Sequence, residues 1–186
     1  MDMVTRAQAW KKLNELLDNQ NLVRHCLAVE AAMADYAERF GVSEEAKEQW
    51  KVAGLIHDAD WEKYPDEHPA VIVKWLEEEG ADPKVINAVA SHGFEFGAEP
   101  ESQMAHAIRA CDEITGLITA VALVKGRDLS AVKVQSVRKK MKKKDFAAGV
   151  NRGDVVRGAE EIGLDLDEHI GNVLVSMQRV SEDLGL

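Results

Sequence analysis

The sequence predicts an all-α fold. Apolar residues recur at helical spacing along the whole chain, and no run alternates in the two-residue rhythm of a strand. Capping residues, glycines and prolines also fall where the periodic segments begin and end. The first helix is expected over residues 5–18. Asn21 is expected to cap a second, whose apolar stripe reads Leu22, Cys26, Val29, Met33, Tyr36 and Phe40 before Gly41 stops it. Ser43 opens a third, with Glu44 and Glu45 in the first turn where the helix dipole favours acids. Residues 60–66 read as a loop, and a fourth helix as 67–79, ended by Gly80. Asp82-Pro83 is a cap followed by proline at the first helical position, and this fifth helix runs to His92-Gly93. After a loop at 93–100, a long sixth helix covers 101–125. Asp128 or Ser130 begins a seventh, which ends in the basic run 138–144. Asn151 caps an eighth that Gly163 ends, and Asp165 or Asp167 starts a ninth that reaches Leu184.

A chain of 186 residues suits one structural unit. The Gly126-Arg127 turn is the one seam, between a main bundle at 1–125 and a C-terminal helical appendage at 126–186. With 23 Lys and Arg against 33 Asp and Glu, the net charge is −10, which argues against nucleic-acid polymers and anionic membranes as partners. No apolar stretch approaches the roughly 20 residues that cross a bilayer. The first ten residues lack the apolar region of a signal peptide. Two cysteines, Cys26 and Cys111, do not make a disulfide framework, so a reducing, cytoplasmic setting is expected.

Histidines and acids carry the chemistry. His25 sits in the apolar stripe of the second helix, His57-Asp58 follow the apolar run 52–56, and Asp112 lies mid-helix among Ile108, Ala110, Cys111 and Ile114. A carboxylate on such a face is costly unless it is paired or holds a metal. His25 alone would read as a core histidine. Together, four such groups from three helices point to a divalent cation inside a bundle. Cys26 and Cys111 adjoin proposed ligands, but one step along a helix turns a side chain by about 100°, so both read as packing.

The order His25, His57-Asp58, Asp112 resembles the HD superfamily of metal-dependent phosphohydrolases. The segment Ala53-Gly54-Leu55-Ile56-His57-Asp58 has the family's form, and His68 and His92 match histidines of the branches with a second metal. The stretch from Lys144-Asp145-Phe146 to Val150 resembles an uncharacterised branch of HD hydrolases. The resemblance implies metal ligation by His25, His57, Asp58, Asp112, His68 and His92, with Asp58 bridging two ions and His57 and Asp58 at the catalytic centre. Mn, Fe, Co, Ni, Zn or Mg suits such donors. A bound ion lowers the pKa of water from about 15.7 toward roughly 7–9 and offsets phosphoryl charge. The expected substrate is a small phosphate ester or anhydride, with nucleotides among the candidates.

Many relatives carry glycine and then lysine after the His-Asp pair. Here Ala59-Asp60-Trp61-Glu62-Lys63 follows, with the lysine in a shifted register. Lys63, Asp60, Lys139 and Lys140 are the candidate substrate contacts. Glu62 reads as solvated, Trp61 and Tyr64 as packing, His106 as facing away from Asp112, and His169 as solvent-exposed. Two other readings stand beside the hydrolase: a di-iron oxygenase on the same ligands, and a non-catalytic regulatory module, whose mark would be a missing ligand.

Overall fold

The computed structural model describes residues 3–186. Ten α-helices and no strand form among them: α1 (Arg6–Leu16), α2 (Gln20–Arg39), α3 (Glu44–Ile56), α4 (Ala70–Glu78), α5 (Pro83–Ala90), α6 (Gln103–Val124), α7 (Val134–Met141), α8 (Arg152–Glu161), α9 (Leu166–Arg179) and α10 (Ser181–Leu184). Among the described residues no helix is long and apolar enough to cross a membrane.

Local chemistry explains most ends. The side chains of Ser43, Asp82, Ser102 and Asn151 each accept a backbone N–H in the first turn of α3, α5, α6 and α8. Four ends differ from expectation. Asp128 caps only a short 3-10 turn, Leu129–Ala131, and α7 begins later, at Val134. Asn19, not Asn21, caps α2, accepting the Asn21 N–H at 2.9 Å. Helix α4 starts at Ala70 rather than residue 67, because Pro69 biases His68 away from helical backbone. The last segment splits at Val180, whose N–H turns back to the carbonyls of Met177 and Gln178 and leaves α10 as a separate turn.

Helices α2 and α6 lie at the centre. Helix α3 runs closely against α2, with α1 and α5 beside it, while α8 and α9 cover α6 from the other side. Two glycines set these distances. A Cβ on Gly54 of α3 would lie 2.9 Å from the Glu30 Cα of α2, and one on Gly158 of α8 would lie 2.6 Å from the Ala110 Cα of α6. Val155, Ile170, Val173 and Met177, from beyond the Gly126-Arg127 turn, are buried in the same core as Val29, Ile56 and Ile114.

Candidate metal centre

Five segments deliver the chemistry-bearing side chains to one place. His25 comes from the second turn of α2, and Asp112 from the middle of α6. His57 is the C-cap of α3, with Asp58 in the turn that follows. His68 lies in the turn before α4, and His92 just past the C-cap of α5. One atom each from His25, His57, Asp58 and Asp112, and one each from Asp58, His68 and His92, form two groups whose members all lie within 4.8 Å of one another.

Asp58 joins the groups. Its Oδ2 is 3.4 Å from His25 Nε2 and 3.5 Å from His57 Nε2, while its Oδ1 is 3.4 Å from His68 Nε2 and 3.3 Å from His92 Nε2. Asp112 Oδ1 lies 2.9 Å from His25 Nε2 and 3.6 Å from His57 Nε2. Metal–ligand bonds near 2.1 Å around a tetrahedron put neighbouring donors about 3.4 Å apart.

The far side of each ring explains the aim of the near side. His57 Nδ1–H donates to the Gly54 carbonyl at 2.8 Å, and His92 Nδ1–H to the Val89 carbonyl at 2.6 Å. His68 Nδ1–H donates to Asp60 Oδ1 at 2.6 Å. Thr115 spends its hydroxyl hydrogen on the Asp112 carbonyl at 2.7 Å, so its oxygen is free to accept from His25 Nδ1–H at 3.4 Å. His25 is held differently, with Nε2 2.9 Å from Asp112 Oδ1. At His57, His68 and His92 Nδ1 carries the hydrogen and Nε2 turns a lone pair to the centre, the tautomer a metal ligand needs.

Those lone pairs lack partners of their own. His57 Nε2 is buried and makes no hydrogen bond, and the His68 and His92 Nε2 atoms, both acceptors, face each other at 3.2 Å. A divalent cation between them would satisfy both at once. A proton on His25 serves the two carboxylates where no metal does. Burial opposes charge at His25, yet Asp112 and Asp58 push its imidazolium up to about 10. Burial also opposes charge at the two carboxylates, but His57, His25 and His92 hold Asp58 well below its usual range, and His25 and His57 do the same for Asp112. The donor set therefore fits one or two divalent cations.

The model of the HD domain family matches residues 22–117 of the chain. The protein belongs to the HD-domain family. No curated protein and no solved structure gives a significant match. The matched span of the HD domain runs from the start of α2 into α6 and contains all six clustered donors.

A cavity of about 310 Å³ opens onto the cluster. Trp61, Phe94 and Phe96 form an aromatic wall, and Glu95, Glu113 and Asp154 an acidic rim. Burial, then Asp112, pushes the Glu113 carboxyl up to about 7. Arg109 also lines the cavity, but its guanidinium donates to the Ser91 and Ala98 carbonyls and stacks on Phe94.

Several expected contacts are placed elsewhere. Asp60 is not a substrate ligand: it is fully buried, accepts from His68 Nδ1–H and the Ile72 N–H, and so orients a ring of the cluster. Lys63 points away, with Nζ donating to the Glu15 carbonyl at 2.7 Å. Lys139 is exposed and Lys140 sits over Phe146, so neither lines the cavity. Within the basic run, Arg138 pairs with Asp167. Glu62 accepts the Asp18 and Asn19 N–H groups, tying its loop to the start of α2. Trp61 and Tyr64 are exposed rather than packed, and Trp61 stands edge-on to His68 at the cavity mouth. His169 is buried, not solvent-exposed. His106 turns away to Glu161, and Cys26 and Cys111 are buried filler, as the sequence suggested.

Thr115, Phe94 and Phe96 escaped the sequence reading. Thr115 stands three residues after Asp112 on the same helix face, a spacing that was available as a signal. The phenylalanines belong to a loop, where no periodicity exists to assign them a direction.

Proposed function

We propose that this HD-domain protein is a metal-dependent phosphohydrolase that cleaves a small phosphate ester or anhydride, nucleotides included. The observation that carries this reading is the aim of six donors from five segments, with Asp58 offering one oxygen to each group. A divalent cation held there supplies an ionisable water near neutral pH and positive charge for the phosphoryl oxygens.

The chain's own residues do the rest. His25, His57 and Asp112 complete one donor group with Asp58 Oδ2, and His68 and His92 complete the other with Oδ1. In this reading Asp58 and His57 act at the reacting centre. Asp60, Thr115 and the Gly54 and Val89 carbonyls lock the four rings, so little reorganisation is needed as the phosphoryl group arrives. Trp61, Phe94 and Phe96 restrict water on one side and offer faces to a leaving group. Burial pushes both thiols up, which suits Cys26 and Cys111 to packing rather than nucleophilic attack.

The test is phosphate release from a panel of phosphate esters by protein supplied in turn with Mn, Fe, Co, Ni, Zn or Mg. Turnover is expected with at least one ion. Asp58→Ala should lose bound metal by elemental analysis and about a hundredfold or more in rate, since even partners outside the ligand set contribute ten- to hundredfold. Dioxygen uptake without phosphate release, or an Asp58→Ala protein with normal metal content and rate, overturns the proposal.

A further inference from the structure

His25 and Gly116 line two cavities, the one that opens onto the donor cluster and a second of about 270 Å³. Asn21 and Arg24 from the first turns of α2, Thr119 from α6 and Arg127 from the following turn line the second cavity. The two walls differ sharply in charge. The first cavity carries Glu95, Glu113 and Asp154 besides its donor carboxylates, and its one arginine is spent on carbonyls. The second is lined by two arginines and by no Asp or Glu.

Of the nine arginines, Arg6, Arg138, Arg157 and Arg179 pair with carboxylates, and Arg109 and Arg152 donate to backbone carbonyls. Arg24 and Arg127 pair with none among the described residues, and both face the same space. The backbone puts Arg127 there: after Gly126 at φ +83°, Arg127 itself takes φ +63° and returns its N–H to the Ala122 carbonyl at 3.0 Å. A non-glycine residue in that region carries local strain, which the surrounding turn sustains. Between the cavities, Gly116 contributes no side chain, and a Cβ there would meet only Val150 Cγ2, at 3.6 Å.

We infer that the Arg24–Arg127 cavity is an anion subsite for a second anionic group of the substrate, a phosphate or carboxylate distal to the phosphoryl group that is cleaved. This rests on the phosphohydrolase reading and narrows it to substrates with two separated anionic ends. Guanidinium groups suit such an end because they donate in a planar fork to phosphate or carboxylate oxygens. The first cavity has no free cation for it.

The experiment is calorimetric titration of metal-loaded protein with butylphosphonate and with tetramethylene bisphosphonate, whose carbon–phosphorus bonds resist hydrolysis. Dimethylene and hexamethylene spacers accompany them. At the best spacer the bisphosphonate is expected to bind about tenfold or more tightly than the monophosphonate, the scale of one charge-assisted pair. Arg24→Gln and Arg127→Gln should each remove most of that gain, leaving butylphosphonate affinity, metal content and melting temperature unchanged. If butylphosphonate binds and no spacer improves on it, or if the arginine variants keep the full gain, the subsite falls and the phosphohydrolase reading stands. If neither compound binds, both fall. If only the bisphosphonates bind, and through the arginines, the anion subsite stands and the phosphoryl reading of the metal cluster falls.

Discussion

His169 and His25 show how differently one residue type is used. His169 Nε2–H donates to the Ala110 carbonyl at 2.8 Å, so Nδ1 accepts from the Tyr36 hydroxyl at 2.5 Å. No carboxylate meets the ring, and burial lowers its pKa to about 4. The unfolded chain takes up a proton near pH 6.5, whereas the folded one resists until about 4. Stability from this group is therefore full above pH 6.5 and is lost progressively as pH falls toward 4, by up to about 3 kcal/mol. Urea unfolding of chelator-treated protein at pH 7 and pH 4.5 measures this. His169→Phe should be less stable at pH 7 but lose less on acidification, and equal losses in the two proteins would contradict the assignment. His25, by contrast, lies between two carboxylates. Its sequence neighbours hinted at an inward ring, and the spacing to His57-Asp58 and Asp112 supplied the rest. Nothing comparable marks His169, because its partners are a carbonyl 59 residues away and a tyrosine 133 away.

Helix contacts depend on two missing side chains. An alanine at Gly158 places Cβ 2.6 Å from the Ala110 Cα, which is backbone and cannot turn aside. Helix α8 must then lift from α6, at a cost of about 1–3 kcal/mol. Gly171 in α9 is the control, since a Cβ there would meet only Val134 Cγ2 at 3.6 Å. Thermal unfolding should show Gly158→Ala melting roughly 2–10 °C lower, and Gly171→Ala unchanged or stabilised by about 0.5–1 kcal/mol through the gain in helix propensity. A Gly158→Ala protein as stable as the parent would mean that the close approach of α8 is not real. Most helix ends were readable because a cap acts within three residues: Ser43, Asp82 and Asn151 stand where expected. The later start of α4 was also legible, since Pro69 is a local signal, but the Asp60 carboxylate that accepts the Ile72 N–H in its first turn lies twelve residues away. The break at Val180 has no capping residue to announce it.

Across the whole molecule, the donor cluster joins α2, α3, α5 and α6 at one point, so a cation bound there ties four helices together. Binding to the folded state alone adds about 4 kcal/mol at a thousand times the dissociation constant. For a chain of this size that corresponds to a melting temperature higher by roughly 8–16 °C. A chelator should remove the increment from the parent protein and leave Asp58→Ala unmoved. Equal melting temperatures for the parent with and without chelator would show that the cluster holds no stabilising ion.

The helical class, most helix boundaries and four of the donors were legible in the residues themselves, because periodicity, capping and the company of buried acids are local signals; His68 and His92 came only from the resemblance to the HD family. The tertiary structure alone decided that Asp58 divides its oxygens between two groups, that Asp60 orients a ring, that the lysines lie elsewhere, and that Arg24 and Arg127 share a cavity. Each of these depends on how helices far apart in sequence cross, and crossing distances are set by packing, as at Gly54 and Gly158, which one segment read alone does not contain.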